Sequence, residues 1–262
     1  MFWNWHQRRC GPITCEVDNL VFRDKVSRFF LSLIRTLFYA LVGCLLLAAG
    51  FAWFFMTWEP DRKHYPVRGI DVSHHQGEID WQKVAQNDVA FAYIKATEGT
   101  DFKDKAFSQN WRQAKSAGLA HGAYHFFSYC SGGADQAVNF LETIPLTEVM
   151  LPPVLDIETP ENCPDEPSKE TILREVSAFI TFVEEATNQQ VLIYVPEDIY
   201  LRYLAGMGLN RRIWVQSEWR TPDYVTDWSL WQFSNKGSVD GISGNVDLNV
   251  LAEGLTLDRI LR

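Results

Sequence analysis

Residues 151–161 read LPPVLDIETPE. An apolar run containing two prolines leads to Asp156, and one isoleucine separates that aspartate from Glu158. On an extended strand, residues two apart face the same side with Cα atoms roughly 6.6 Å apart. Both carboxyl groups therefore open into one space, while Ile157 packs behind them. Neighbouring like charges in a partly dry site do not both ionise readily, so one acid of such a pair holds its proton towards neutral pH. A proton donor beside a carboxylate is the equipment for cleaving a glycosidic bond, where the leaving oxygen takes a proton and the sugar gains positive charge. An isolated D-x-E more often meets water or a helix N-terminus, so its surroundings decide the reading.

Those surroundings are strand-like. Apolar, β-branched or aromatic runs recur at VRGIDVS (67–73), VAFAYIKAT (89–97), LAHGAYHFF (119–127), VLIYV (191–195), RRIWVQSE (211–218), WSLWQFS (228–234) and NVDLNV (245–250). Such near-continuous runs suit strands covered on both faces. Helical patterns lie between the early ones: one capped by Asp104, one from Gly133 to Ile144, and one headed by Ser168 with Ile172, Val176, Phe179 and Val183 on a single stripe. Strand–helix alternation followed by a strand-rich tail predicts an α/β fold, an irregular β/α barrel of the TIM type. Active groups of such barrels sit where strands end, at the C-terminal face. Asp71 closes the first strand, Tyr124 and His125 lie near the end of the third, Asp156 and Glu158 end the fourth, and Asp247 falls in the last.

The N-terminal quarter has a different character. Among the 262 residues, no charged side chain occurs between Arg35 and Glu59, and this stretch exceeds the roughly 20 apolar residues that a helix needs to cross a bilayer. Arg8, Arg9, Arg23, Lys25, Arg28 and Arg35 precede it, and short basic flanks stay in the cytoplasm. The expected organisation is a cytoplasmic segment 1–35, a transmembrane helix 36–58, a linker 59–66 and a catalytic domain 67–262. That domain is expected outside the bacterial inner membrane, in the periplasm of a Gram-negative cell. A cleaved signal peptide fits poorly, with about 35 residues ahead of the apolar run and FAWFF after Ala49-Gly50. Leu41-Val42-Gly43-Cys44 resembles a lipoprotein box, but apolar sequence runs well past Cys44. The overall charge of −9 divides into +3 before His64 and −12 after it, so the body repels phosphate backbones and nucleic acid is not an expected partner.

GIDVSHHQGEIDW (69–81), FAYIKATEGTDFKD (91–104), NWRQAKSAGLAHGAYHFF (110–127), PPVLDIE (152–158), VLIYV (191–195) and WQFSNKGSVDGISGNVDLN (231–249) resemble, in order, blocks of the family 25 glycoside hydrolases. These are lysozymes, or N-acetylmuramidases, with an irregular β/α barrel. The resemblance implies cleavage of the β-1,4 bond from N-acetylmuramic acid to N-acetylglucosamine in peptidoglycan, with no cofactor. It implies Glu158 as general acid and Asp156 as the companion that orients the substrate's N-acetyl group in a retaining, substrate-assisted reaction. Asp71 and Asp247 match the family's other two acids. Tyr124, His125, Gln232 and Trp214 are expected at the sugar. HHQG and WVQSEW depart from the usual pattern near the groove, and the acidic, proline-rich loop TPENCPDEPSKET is placed to narrow it.

Several features keep two readings. Trp214, Trp219, Trp228 and Trp231 serve either as sugar platforms or as core. Lys95 and Glu98 pair either to shape the groove floor or as a structural salt bridge. His121-x-x-x-His125 superficially offers the histidine pair of a metal-dependent polysaccharide deacetylase, but no spacing here approaches a metal signature. A non-catalytic, membrane-held glycan-binding module is a further alternative, against which the retained Glu158, Asp156, Asp71 and Asp247 count. Cys130 and Cys163 follow the third and fourth strands, which a barrel places side by side, so a disulfide is expected in an oxidising compartment.

Overall fold

The computed structural model describes residues 12–148, 150–159, 163 and 167–260, with side chains described from residue 22 onward. The chain divides into two compact units with the boundary between Trp58 and Glu59. The first contains one helix, α1 (Pro12–Thr57), whose opening proline suits a first helical turn that needs no backbone N–H. Its segment Phe22–Thr57 is long and apolar enough to cross a membrane. The helix thus starts well upstream of the expected 36–58, because nothing after Pro12 breaks it. Arg8, Arg9 and Cys10 lie outside the described residues, as do residues 160–162 and 164–166 of the acidic loop after Glu158.

The second unit is a closed barrel. Its strands are β1 (Arg68–Val72), β2 (Phe91–Glu98), β3 (Phe102–Lys103), β4 (Ala120–Phe126), β5 (Val154–Asp156), β6 (Leu192–Val195), β7 (Ile213–Gln216), β8 (Trp228–Gly237) and β9 (Val246–Leu251). Every run expected as a strand is one, and β3 is an added two-residue hairpin arm on β2. The pairings β1–β2, β2–β4, β4–β5, β5–β6, β6–β7 and β7–β8 are parallel. β9 closes the circle antiparallel to both β8 and β1. Parallel neighbours require crossovers, and these include α2 (Trp81–Val84), α3 (Phe107–Ser116), α4 (Gly133–Leu141) and α5 (Lys169–Thr187) on the outside. In α5 the Ser168 hydroxyl accepts from Thr171 N, and Ile172, Val176, Phe179 and Val183 are buried, as the stripe requires. Asp104 does not cap α3 as expected. That helix starts at Phe107 with Ala106 at its N-cap; Asp104 Oδ1 accepts from Ala106 N at 2.8 Å, ahead of the first turn, and Oδ2 accepts from the backbone N and Nδ1 of His74, at 3.0 and 2.7 Å.

The lower interior is plugged by Phe91, Tyr93, Leu192, Trp214, Leu230 and Leu251. Rings of this size fit inside an eight-stranded wall only where the facing backbone is bare. A Cβ on Gly122 would stand 2.6 Å from the Tyr93 ring, and one on Gly69 would overlap Phe91. Residues 59–66, expected as a linker, are folded onto the barrel. Arg68 bridges to Glu59 at 3.0 Å and to the Pro60 carbonyl at 2.8 Å, Arg62 pairs with Asp88, His64 bonds Glu253 at 2.8 Å, and Tyr65 packs on Trp228 and Trp231. The folded unit therefore begins at Glu59 rather than at residue 67.

Candidate active site

Three residues of β5 are enough to aim two acids. Pro152 and Pro153 have no N–H to give the ladder, so the strand starts at Val154. Beyond Asp156 the backbone stays bonded to both neighbours: Phe127 N donates to Asp156 O at 2.8 Å and Ile157 N to Tyr194 O at 3.0 Å. The extended geometry thus continues to Glu158. Ile157 is fully buried behind the wall, while Asp156 and Glu158 both line a cleft of about 360 Å³ at the C-terminal end of the parallel strands. Asp71, Tyr124, Tyr194, Trp214, Gln232 and Asp247 line the same cleft.

Asp247 reaches the mouth by the opposite route. It lies near the start of an antiparallel strand, directly across from Asp71. The two carboxyls are hydrogen-bonded, and burial followed by the Asp71 charge pushes Asp247 up to about 9. Burial also raises Asp71, against which the bonds it accepts from Asn249 Nδ2 at 2.6 Å and Gln232 Nε2 at 3.2 Å pull downward. Those amides are themselves fixed: Asn249 Oδ1 accepts from Trp214 Nε1 at 2.9 Å, and Gln232 Oε1 accepts from the Tyr194 hydroxyl at 2.9 Å. Sequence reasoning missed Asn249. Its position two residues after Asp247, on the same face of a strand, was the available signal.

Asp156 is the deeper member of the pair on β5. Burial, then the charges of Glu158 and Asp71, push it well above the carboxylate range, while Lys95 pulls it down. Its Oδ1 is buried without a hydrogen-bond partner. Glu158 is half-buried at the opening. Desolvation therefore favours the proton on Asp156. Burial and all four acids raise the Tyr124 phenol, so it faces the cleft as a hydrogen-bond donor.

Of the expected sugar contacts, Tyr124, Gln232 and Trp214 line the cleft, though Trp214 is only 2% exposed and acts through Asn249. His125 requires correction. Adjacent strand residues face opposite ways, and with Tyr124 inward, His125 is turned into the helical layer, stacked on Phe179 at 4.9 Å. Its Nε2 bonds Gln136 Oε1 at 3.1 Å and its Nδ1 bonds Thr97 Oγ1 at 2.7 Å. Gln136 Oε1 can only accept, so Nε2 carries the hydrogen. His121 faces the same side, bonded to the Leu119 carbonyl. The H-x-x-x-H pair thus points away from the acids. Trp228 and Trp231 pack with Tyr65 outside the barrel, and Trp219 is 49% exposed on the loop after β7 with φ 60°. Cys130 and Cys163 are joined, Cα atoms 5.4 Å apart, tying the loop after β4 to the segment after Glu158.

The sequence pattern of the glycosyl hydrolases family 25 matches residues 70–242, which includes Asp71, Asp156 and Glu158. Lysozyme M1 of Streptomyces globisporus is 37% identical over 197 residues, 70% of this chain and 67% of that protein. The uncharacterized protein YegX of Escherichia coli strain K12 is 39% identical over 193 residues, 71% of this chain and 70% of its own. The solved structure of a family 25 glycosyl hydrolase from Bacillus anthracis superposes with a TM-score of 0.69 at 36% identity, covering 74% of this chain and 91% of that one. Barrel, cleft and matched residues agree, and the chain belongs to the glycosyl hydrolases family 25.

Proposed function

We propose that this protein is a lysozyme that hydrolyses the β-1,4 bond from N-acetylmuramic acid to N-acetylglucosamine in peptidoglycan. The observation that carries the reading is the convergence of Asp71, Asp156, Glu158 and Asp247 on one cleft. Glu158, at the opening, delivers the proton to the leaving oxygen. Sugar filling the cleft excludes water from Glu158, which lowers its preference for the charged form and lets the proton held by the pair pass to it. The buried, unpartnered Oδ1 of Asp156 meets the substrate's N-acetyl group and turns its carbonyl oxygen to the anomeric carbon. That oxygen forms the new bond as the glycosidic bond breaks, and water, deprotonated by Glu158, opens the resulting ring with retention. The Asp71–Asp247 pair, anchored by Asn249 and Gln232, stabilises the positive charge and positions the ring.

The test is turnover of purified peptidoglycan by the full chain in detergent. New reducing ends should be muramic acid, and Glu158→Gln should lower the rate by about 1,000-fold, in the range of a lost general acid. Hydrolysis undiminished in that variant would reject the role of Glu158. The outward-facing His121 and His125 argue against a deacetylase built on that pair.

For location, we propose that α1 crosses the inner membrane with the basic flank in the cytoplasm and the barrel in the periplasm. The uncharged stretch after Arg35, the basic residues before it and the Cys130–Cys163 bond support this. Alkylation of intact cells should find Cys130 and Cys163 oxidised; free thiols at both would place the barrel in a reducing compartment.

A further inference from the structure

Among the described residues, Lys95 supplies the only Lys or Arg side chain on the wall of the cleft, which the carboxyl groups of Asp71, Asp156, Glu158 and Asp247 also line. It stands on β2 and is 8% exposed. Its position is fixed from two sides: Nζ lies 2.7 Å from Glu98 Oε2 and 4.6 Å from the centre of the Phe126 ring. Phe126 is paired in register with Asp156, so the ammonium is held beside the strand that ends at Asp156. A cation kept this dry on an aromatic face acts over a longer range than one in water.

We propose that the Lys95–Glu98 pair sets the pH window of hydrolysis, the buried ammonium acting on the acids across the cleft and Glu98 offsetting its charge. Lys95 is then a positioning residue for a proton. The inference rests on the reading of these acids as the catalytic centre. The other groups facing this space are Asp71 from β1, Asp247 from β9, Tyr124 from β4, Tyr194 from β6 and His75 from the loop after β1. Asp71 and Asp247 add negative potential, both phenols are held neutral by burial, and only His75 adds a second site for positive charge. Lys95 opposes the acids directly: its charge pulls the Asp156 carboxyl down against burial and Glu158.

The signs for the two members are opposite. Lys95→Met removes the cation and leaves Glu98 uncompensated, so both limbs of the kcat/KM profile move to higher pH, by about one unit for a charge lost at this range. Glu98→Gln leaves the cation unopposed, and both limbs move to lower pH by a smaller amount. Lys95→Arg keeps the charge and the profile. The measurement is kcat/KM against pH on soluble peptidoglycan fragments for the full chain and these three variants, with circular dichroism to establish folding. A salt bridge that only braces the wall would lower activity equally at all pH values. Unmoved limbs in both Lys95→Met and Glu98→Gln, or limbs displaced the same way in both, overturn the proposal. Should Lys95→Met fail to fold, the acid displacement in Glu98→Gln decides alone. Failure here leaves the Glu158→Gln result standing, so the two readings fail separately.

Discussion

The inner and outer faces of the barrel wall carry ionisable groups shifted in opposite directions for one reason. Inside, burial raises Asp71, Asp156 and Asp247; outside, one residue along from Tyr124, burial lowers His125 to about 4. In each case the dry environment penalises charge, so acids keep protons and the histidine sheds one. The difference lies in what surrounds the neutral group. His125 has both ring nitrogens bonded and its faces covered by Phe140 and Phe179. Asp156 keeps a buried oxygen with no partner, beside a cleft. Of these perturbed groups, only those on the inner face border open space, where the raised acids line the cleft.

Asp247→Asn breaks the comparison hardest. Activity should fall roughly 100-fold, because Asp71 loses the carboxyl that shares its proton and charge. Stability should move the other way. A carboxyl raised to about 9 contributes stability that is fully present below about pH 4 and is lost as pH rises through 9. The asparagine variant lacks that loss, so its Tm should exceed the parent's by several degrees at pH 8 and match it near pH 4. Equal Tm values at both pH values would show that the buried pair bears no such strain. Thermal melts from pH 4 to 9 read this directly.

His125→Gln sharpens the outer side with a smaller effect. Its pKa is depressed, so its contribution is present above the unfolded value of about 6.5 and is lost as pH falls through about 4. The parent should destabilise over that window by up to about 3 kcal/mol from this residue, and the variant should show a flatter acid slope. Urea melts at pH 4.5 and 7 test it. Peptidoglycan turnover should hold within about threefold, since the ring does not touch the cleft; a large loss in a folded variant would return His125 to the substrate.

Much of this was legible in the chain. The strand runs were readable because parallel strands covered on both faces need continuous apolar sequence, and the stripe of α5 because one helical face must be buried. Asp156 and Glu158 were legible as a pair through the two-residue repeat of a strand. The same repeat assigns Tyr124 and His125 to opposite faces, but it does not say which face is inside. Residues 59–66 read as a linker because their composition is polar and proline-containing; Arg62, His64 and Tyr65 hold them through contacts with Asp88, Glu253, Trp228 and Trp231, which lie farther along the sequence. Asp104 read as a helix cap because its local pattern fits one, whereas its burial against His74 is a contact thirty residues away.

By itself the sequence determined the alternation of elements, the uncharged N-terminal span and the carboxyl pair two residues apart, since each follows from local periodicity and the solvation of side chains. Tertiary structure decided which acid sits deeper, that β9 runs backwards so an aspartate near its start reaches the mouth beside Asp71, and that Asn249 and Lys95 bear on the acids. Those are consequences of closing the wall, because desolvation and Coulomb interactions depend on distances in space that spacing along the chain does not fix.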